Sequence, residues 1–163
     1  MSATDIVGSD AHRSAEDIES TDFITMTIAD QLFGLPVLSV QDVLGPQIIA
    51  HIPLAPPEVA GSLNLRGRIV TAIDMRMRLG LEPRDEGERG MSVVVDHQGE
   101  LYSLIIDTVG EVLSLPEERF ERTPPTLNAL WRQMAAGIYR LDERLLVVLD
   151  IDHVLDFHTA AAA

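Results

Sequence analysis

Asp150, Asp152, His153, Asp156 and His158 form the densest group of side chains in this chain that could do chemistry. Carboxylate oxygens with imidazoles can hold a divalent ion, and such an ion could assist hydrolysis. Against that, the segment contains no glycine to bend a ligand loop. Asp150 also recurs as Asp74 in a second copy of the surrounding pattern, whereas Arg76 stands where Asp152 would be matched. A short helix with a solvated acidic face explains the same spacing, so a metal-dependent hydrolase using Asp150–His158 is the alternative reading. His51 and His97 stand apart from other candidate ligands. Elsewhere there is no glycine-rich phosphate loop, no nucleophile elbow and no histidine pair at helical spacing. The chain has no cysteine, which excludes disulfides and thiolate sites. All twelve basic residues are arginine, so a lysine nucleophile is excluded as well. No Ser or Thr lies in a recognisable activating sequence. The expectation is a chain that is not an enzyme, with no catalytic residue, metal or cofactor.

Two other segments carry chemistry of contact. In Pro36–Gly45, Val37, Val40, Val43 and Leu44 fall at helical spacing after a strand, with Gly45-Pro46 as the stop. This is either a one-turn connector facing the core or the rim of an apolar groove. In Gly61-Ser62-Leu63-Asn64-Leu65-Arg66-Gly67-Arg68, Arg66 sits at a glycine-containing turn between very apolar strands. It is either a solvated hairpin arginine or an interface anchor, since a planar guanidinium can pair with a carboxylate while its stem packs.

The elements that must position these residues are mostly strands. Phe23–Ile28 alternates, with Ile24, Met26 and Ile28 on one face. An Asp30-centred turn leads to Gln31–Pro36. Similar runs follow at Gln47–Ile52, Ser62–Arg66, Ile69–Ile73, Met91–Asp96, Tyr102–Ile106, Val109–Leu113, Gly137–Leu141 and Leu145–Leu149. Such short, evenly spaced segments predict small barrels or sandwiches.

The pattern repeats. Phe33-Gly34-Leu35 through Val40-Gln41-Asp42-Val43-Leu44 lies over Tyr102-Ser103-Leu104 through Val109-Gly110-Glu111-Val112-Leu113, an offset of 69 residues. Gly61 through Asp74 lies over Gly137 through Asp150 at an offset of 76. The extra seven residues fall within Ser114–Ala136, which holds the only Trp. Asp74–Leu79 and Asp150–Leu155 each read as a short helix capped by its Asp. Two similar β-rich halves, about 23–82 and 91–157, predict two linked barrels.

Composition sets the outer limits. The apolar fraction of 46% is ample for a core, but aromatics are only 4%. Residues Met1–Asp22 carry six acids against Arg13 alone and predict a disordered acidic tail; residues 158–163 predict a frayed end. A net charge of −14 disfavours nucleic acid and anionic lipid. No apolar run approaches the ~20 residues of a membrane helix, and no signal peptide opens the chain. The expectation is a cytoplasmic protein with no membrane insertion.

The aromatic-Gly pair Phe33-Gly34, the run Val40-Gln41-Asp42-Val43, and the block Pro53, Gly61–Gly67, Ile69-Val70 and Ile73-Asp74-Met75-Arg76 resemble the CheW family of chemotaxis coupling proteins. Similarity continues through Tyr102–Asp107, Val109–Leu113 and Gly137–Leu155, so it spans roughly Phe23 to Phe157. The resemblance implies an all-β fold with short helices, built as two interlocked five-stranded SH3-like barrels. It implies a non-catalytic adaptor, recruited to receptor arrays, that couples chemoreceptor cytoplasmic hairpin tips to the regulatory domain of a CheA-type histidine kinase. Other CheW-like modules of array rings are further implied partners. By matching position, Val40, Asp42 and Arg66 face the receptor, and Val43 and Leu44 face the kinase. Asp42 stands where the family often has Glu, and Leu44 where a polar residue is common. A scaffold of this fold serving another receptor–kinase pathway, for motility or a second messenger, fits the same residues.

Overall fold

The computed structural model describes residues 19–85 and 87–156. The first eighteen residues of the expected tail, Phe157 and the expected frayed end lie outside these. Alternation makes Ser20–Ile28 the first strand, β1, so Ser20 to Asp22 belong to the sheet and not to the tail. Ala29 and Asp30 at φ 50° and 68° turn it into β2, Gln31–Pro36. Two positive φ values give the twist that a tight antiparallel hairpin needs. One 3₁₀ turn, Val37–Ser39, leads to β3, Val40–Leu44. Then come β4 (Val59–Leu65), β5 (Arg68–Asp74), α1 (Met75–Arg78), β6 (Met91–His97), β7 (Glu100–Ile106) and β8 (Thr108–Pro116). A 3₁₀ turn at Glu117–Arg119, α2 (Ala129–Met134), β9 (Ala135–Arg140), β10 (Leu145–Leu149) and α3 (Ile151–Val154) complete the order.

The strands form two five-stranded sheets with the orders β8-β1-β2-β10-β9 and β3-β6-β7-β5-β4. Each is an SH3-like barrel, here called barrel A and barrel B. Barrel A takes β1 and β2 from the first half of the chain and β8, β9 and β10 from the second. Barrel B takes the reverse. Each half therefore gives its first two strands to one barrel and its last three to the other. Each barrel has one antiparallel join between the halves, β1 with β8 or β3 with β6, and one parallel join: Leu32–Gly34 of β2 lie beside Leu146–Val148, and Thr71–Asp74 of β5 beside Tyr102–Ile105.

Strand alternation splits the apolar residues into three layers. Phe23, Tyr139, Leu146 and Val148 fill barrel A. Leu63, Val70 and Ala72 fill barrel B. The largest layer lies between the barrels and includes Met26, Phe33, Leu35, Ile73, Val93, Leu104, Ile138 and Val147. Within β10, Leu146 and Val148 point into the barrel while Val147 and Leu149 point to the joint. The insertion supplies the plug of this joint. Met134 of α2 is fully buried, and Trp131 packs edge-on against Phe33 at 5.3 Å while its Nε1 donates to the Leu79 carbonyl at 2.9 Å.

The repeat explains its own glycines. The chain beyond β3 recrosses β4 where Ala50 and Ser62 exchange backbone hydrogen bonds of 2.8 Å. The chain beyond β8 recrosses β9 in the same way, through Glu121 and Ile138. A Cβ on Gly61 would collide with the Ala50 carbonyl, and one on Gly137 with the Phe120 ring and the Glu121 carbonyl. The expected strand over Gln47–Ile52 is thus reduced to one bridge at Ala50. Pro46 and Pro53 bracket it, and only Ala50 pairs with β4, antiparallel to Ser62.

Both expected helix caps are present. Asp74 accepts from Arg76 N and Met77 N, and Asp150 from Asp152 N. Polar contacts then tie the barrels together. Asp107, between β7 and β8, accepts from Arg76 at 3.0 and 2.7 Å and from the Ala29 N–H at 2.8 Å; it also pairs with Arg84 at 3.0 Å. Burial raises the Asp107 pKa, but these donors and cations outweigh it and hold the carboxyl below its usual range. Arg78, at the end of α1, donates to the Val154 and His153 carbonyls at 2.7 and 3.0 Å and so caps the other half's helix α3. No helix among the described residues is long and apolar enough to cross a membrane.

Candidate protein-interaction site

Val40–Leu44 is an edge strand, not the helical turn its spacing suggested. The physical reason is a bulge at Gln41. Val40 pairs with Val95 and Val43 with Val93, although Val40 and Val43 are three residues apart and Val93 and Val95 only two. Val93 and Val95 share one face, so Val40 and Val43 share it too. An extra residue in a strand thus imitates helical spacing. Val40 packs at the rim of the inter-barrel core, and Val43 and Leu44 are half-buried. Only Val37–Ser39 turns, and it leaves Leu38 97% exposed.

The β4–β5 hairpin builds the other side. Arg66 and Gly67 both have positive φ, at 53° and 85°, and the Asn64 side chain accepts from Gly67 N at 2.9 Å. Glycine accepts this backbone without strain. The turn aims Arg66 at Asp42, with Nη2 3.0 Å from Oδ2. β3 and β4 are opposite edges of barrel B's strand order, so this ion pair spans the seam where the barrel closes. Arg66 remains 77% exposed while Asp42 is 26% exposed. One edge of the guanidinium is held and the rest faces outward.

Asp42 and Arg66 therefore meet at one corner, while Val40 and Val43, which flank Asp42 along β3, lie on the face opposite to it. Ile69, four residues before Ile73 on the inter-barrel face of β5, extends that face outward and is 71% exposed. Sequence reasoning missed Ile69 and Leu38 as surface residues. Ile69 lay inside an apolar run, and only its place at the hairpin's end exposes it. Phe120, 40% exposed beside an apolar cavity of about 360 Å³ with Phe23, Tyr139 and Val148, was likewise missed.

A second cleft, of about 540 Å³, lies between the barrels and is lined by Leu38, Gln41, His97, Asp150 and Asp152 among others. The proposed metal cluster borders it but does not converge. Asp150 is occupied as a helix cap and lies 3.1 Å from His153 Nδ1. Asp152 turns the other way, 3.2 Å from His97 Nδ1 on barrel B. His97 is thus not isolated, because strand exchange brings its hairpin to α3. His158 lies outside the described residues. Among the described residues no three His, Cys, Asp or Glu could hold a metal ion together.

The CheW-like domain model matches residues 22–158. The chain is 29% identical to the probable chemotaxis protein CheW of Rhizobium etli, over 87% of this chain and 92% of that one. It is 28% identical to the chemotaxis protein CheW of Klebsiella aerogenes, over 82% and 81%. It superposes on the crystal structure of the scaffolding protein TtCheW from Thermoanaerobacter tengcongensis with a TM-score of 0.76, 26% identity, and coverage of 85% and 94%. The match runs through both exchanged barrels and the corner between β3 and the β4–β5 hairpin, and the chain belongs to the CheW-like domain family.

Proposed function

We infer that this chain is a chemotaxis adaptor without catalytic chemistry of its own, coupling the cytoplasmic hairpin tips of chemoreceptors to the regulatory domain of a CheA-type histidine kinase. The observation that carries the reading is the corner where Arg66 pairs with Asp42, on the edge strand that also carries Val40. It presents an exposed guanidinium already oriented by a carboxylate, and Val40 on the same strand lies at the rim of the inter-barrel core. A helical hairpin presenting an apolar stripe and an acidic side chain fits it. The rim would take the stripe, and the free edge of the guanidinium would take the carboxylate. Val43 and Leu44, farther along the same edge strand, offer half-buried apolar contact suited to a second, barrel-shaped partner. The role is geometric. Two partners fixed on one rigid double barrel stand at a set distance and angle, so a change in one biases the states of the other.

Calorimetric titration with the regulatory domain of the kinase encoded beside this chain tests the kinase half. Saturable binding near one to one, weakened by Leu44→Asp and unchanged by Arg66→Glu, is expected. Titration with a soluble receptor-tip fragment should give the converse pattern. No binding to a kinase domain shown competent toward another adaptor would overturn the chemotaxis reading and point to another receptor–kinase pathway.

A further inference from the structure

Pseudo-symmetry gives barrel A the same corner as barrel B, with its charge reversed. The bulge of β3 recurs in β8, where Val109 pairs with Met26 and Val112 with Ile24. Glu111 therefore stands where Asp42 stands in barrel B. The hairpin Leu141-Asp142-Glu143-Arg144, closed by Leu141 N to the Arg144 carbonyl at 2.8 Å, occupies the place of Leu65-Arg66-Gly67-Arg68. Asp142 thus stands where Arg66 does. β8 and β9 are the two edges of barrel A, as β3 and β4 are of barrel B. Val109, the counterpart of Val40, likewise packs half-buried at the rim of the inter-barrel core, so the apolar element is present too. Only the cation is missing.

The arginines nearest this corner are committed elsewhere. Arg140 pairs with Glu121 at 3.0 Å, and Arg144 donates to the Asp30 carbonyl at 3.3 Å. Glu111, Asp142 and Glu143 are all exposed. An acidic partner approaching barrel A therefore meets like charge at the position where barrel B offers a guanidinium. The turn differs as well. Glu143 does not share the positive φ of Gly67, so this hairpin does not reproduce the backbone that aims Arg66.

We propose that Asp142, with Glu143 beside it, is a specificity determinant that confines an acidic helical-hairpin partner to barrel B, so that one adaptor docks one receptor tip despite having two equivalent corners. The proposal rests on the receptor reading of Arg66.

The test uses the full chain, with the double change Asp142→Arg plus Glu143→Gly supplying both the cation and the turn glycine. Glu111 then stands ready to hold the new guanidinium as Asp42 holds Arg66. The probe is a soluble fragment carrying a co-encoded chemoreceptor's hairpin tip, titrated calorimetrically. Stoichiometry is expected to rise from about one to about two tips per chain. In an Arg66→Glu background, which alone weakens binding by about tenfold or more, the double change should restore a single site. The proposal is overturned if the wild type binds and Arg66→Glu weakens it, yet the folded double variant neither adds nor restores a site. If the wild type does not bind, or Arg66→Glu has no effect, the receptor reading fails and takes the proposal with it.

Discussion

Asp107 shows how one carboxylate can hold two barrels in register. Its oxygens face Arg76 from α1, Arg84 from the following loop and the Ala29 N–H from the β1–β2 turn, and its side chain is 20% exposed. Because the folded-state pKa lies below the ordinary value of about 3.9, its contribution is fully present above that pH and is lost as pH falls through the folded-state value. Asp107→Asn keeps the shape but leaves Arg76 without its carboxylate and Arg84 with only the longer 3.6 Å pair to Asp74. Breaking a buried pair costs about 3–5 kcal/mol, and partial exposure here brings the expectation to about 2 kcal/mol at neutral pH. Thermal melts of both proteins from neutral to strongly acid pH should show the gap closing toward acid; a gap constant across that range would remove the ion pair from the account. A second residue-scale expectation concerns Gly137. Its α-hydrogen faces the Phe120 ring, so Gly137→Ala must displace an aromatic and a crossing strand, at a cost of about 1–3 kcal/mol. Gly45, with nothing near it, is the control. Equal melting temperatures for Gly137→Ala and Gly45→Ala would contradict the close approach.

At the scale of elements, caps and alternation were legible, and anything set by a distant partner was not. Asp74 and Asp150 announced their helices because an N-cap needs only the next three residues. β2 and β10 end where their residues said they would, since Pro36 stops one and Asp150 caps the helix after the other. Val40–Leu44 was misread because a bulge gives same-face residues a spacing of three, and only pairing with β6 reveals it. Asp42 and Arg66 were singled out separately. Their contact was invisible, because it forms only when barrel B closes edge to edge. His97 beside Asp152 was hidden for the same reason. The cap reading of Asp150 makes a prediction that separates it from the metal reading. Asp150→Ala should cost about 1 kcal/mol, which is about 3 °C in a domain of this size, while Asp150→Asn retains most of the cap. Both values should be identical with and without a chelator. Chelator-dependent melting of the wild type would restore the metal alternative.

The whole molecule is governed by exchange. Neither half of the chain holds a barrel: residues up to the loop after α1 contribute two strands to barrel A and three to barrel B, and the remainder contributes the complement. An isolated half would expose the edges of β2 and β5, which the parallel joins cover, together with its share of the inter-barrel core. The edges of β1 and β3, which lie against β8 and β6 in the intact chain, would be bare too. Unpaired apolar edges aggregate or stay unfolded, so each half made alone should lack the cooperative melt of the intact protein. The halves should nonetheless find each other. The loop between Leu81 and Gly90 has no regular structure among its described residues, and a break between Gly87 and Glu88 leaves every strand intact. The break also keeps Arg84 with the first fragment and Asp107 with the second, so the ion pair becomes a bond between them. Co-expressed fragments 1–87 and 88–163 should therefore co-purify one to one, with a strand-rich circular dichroism spectrum and a melting temperature that rises with concentration, as expected for a bimolecular fold. Asp107→Asn should weaken that complex more than it destabilises the uncut chain, because in the cut protein the pair also helps to offset the entropy of association. A folded, monomeric 1–87 fragment would show that a barrel can close within one half, and the exchanged topology would then not be what holds the two barrels together.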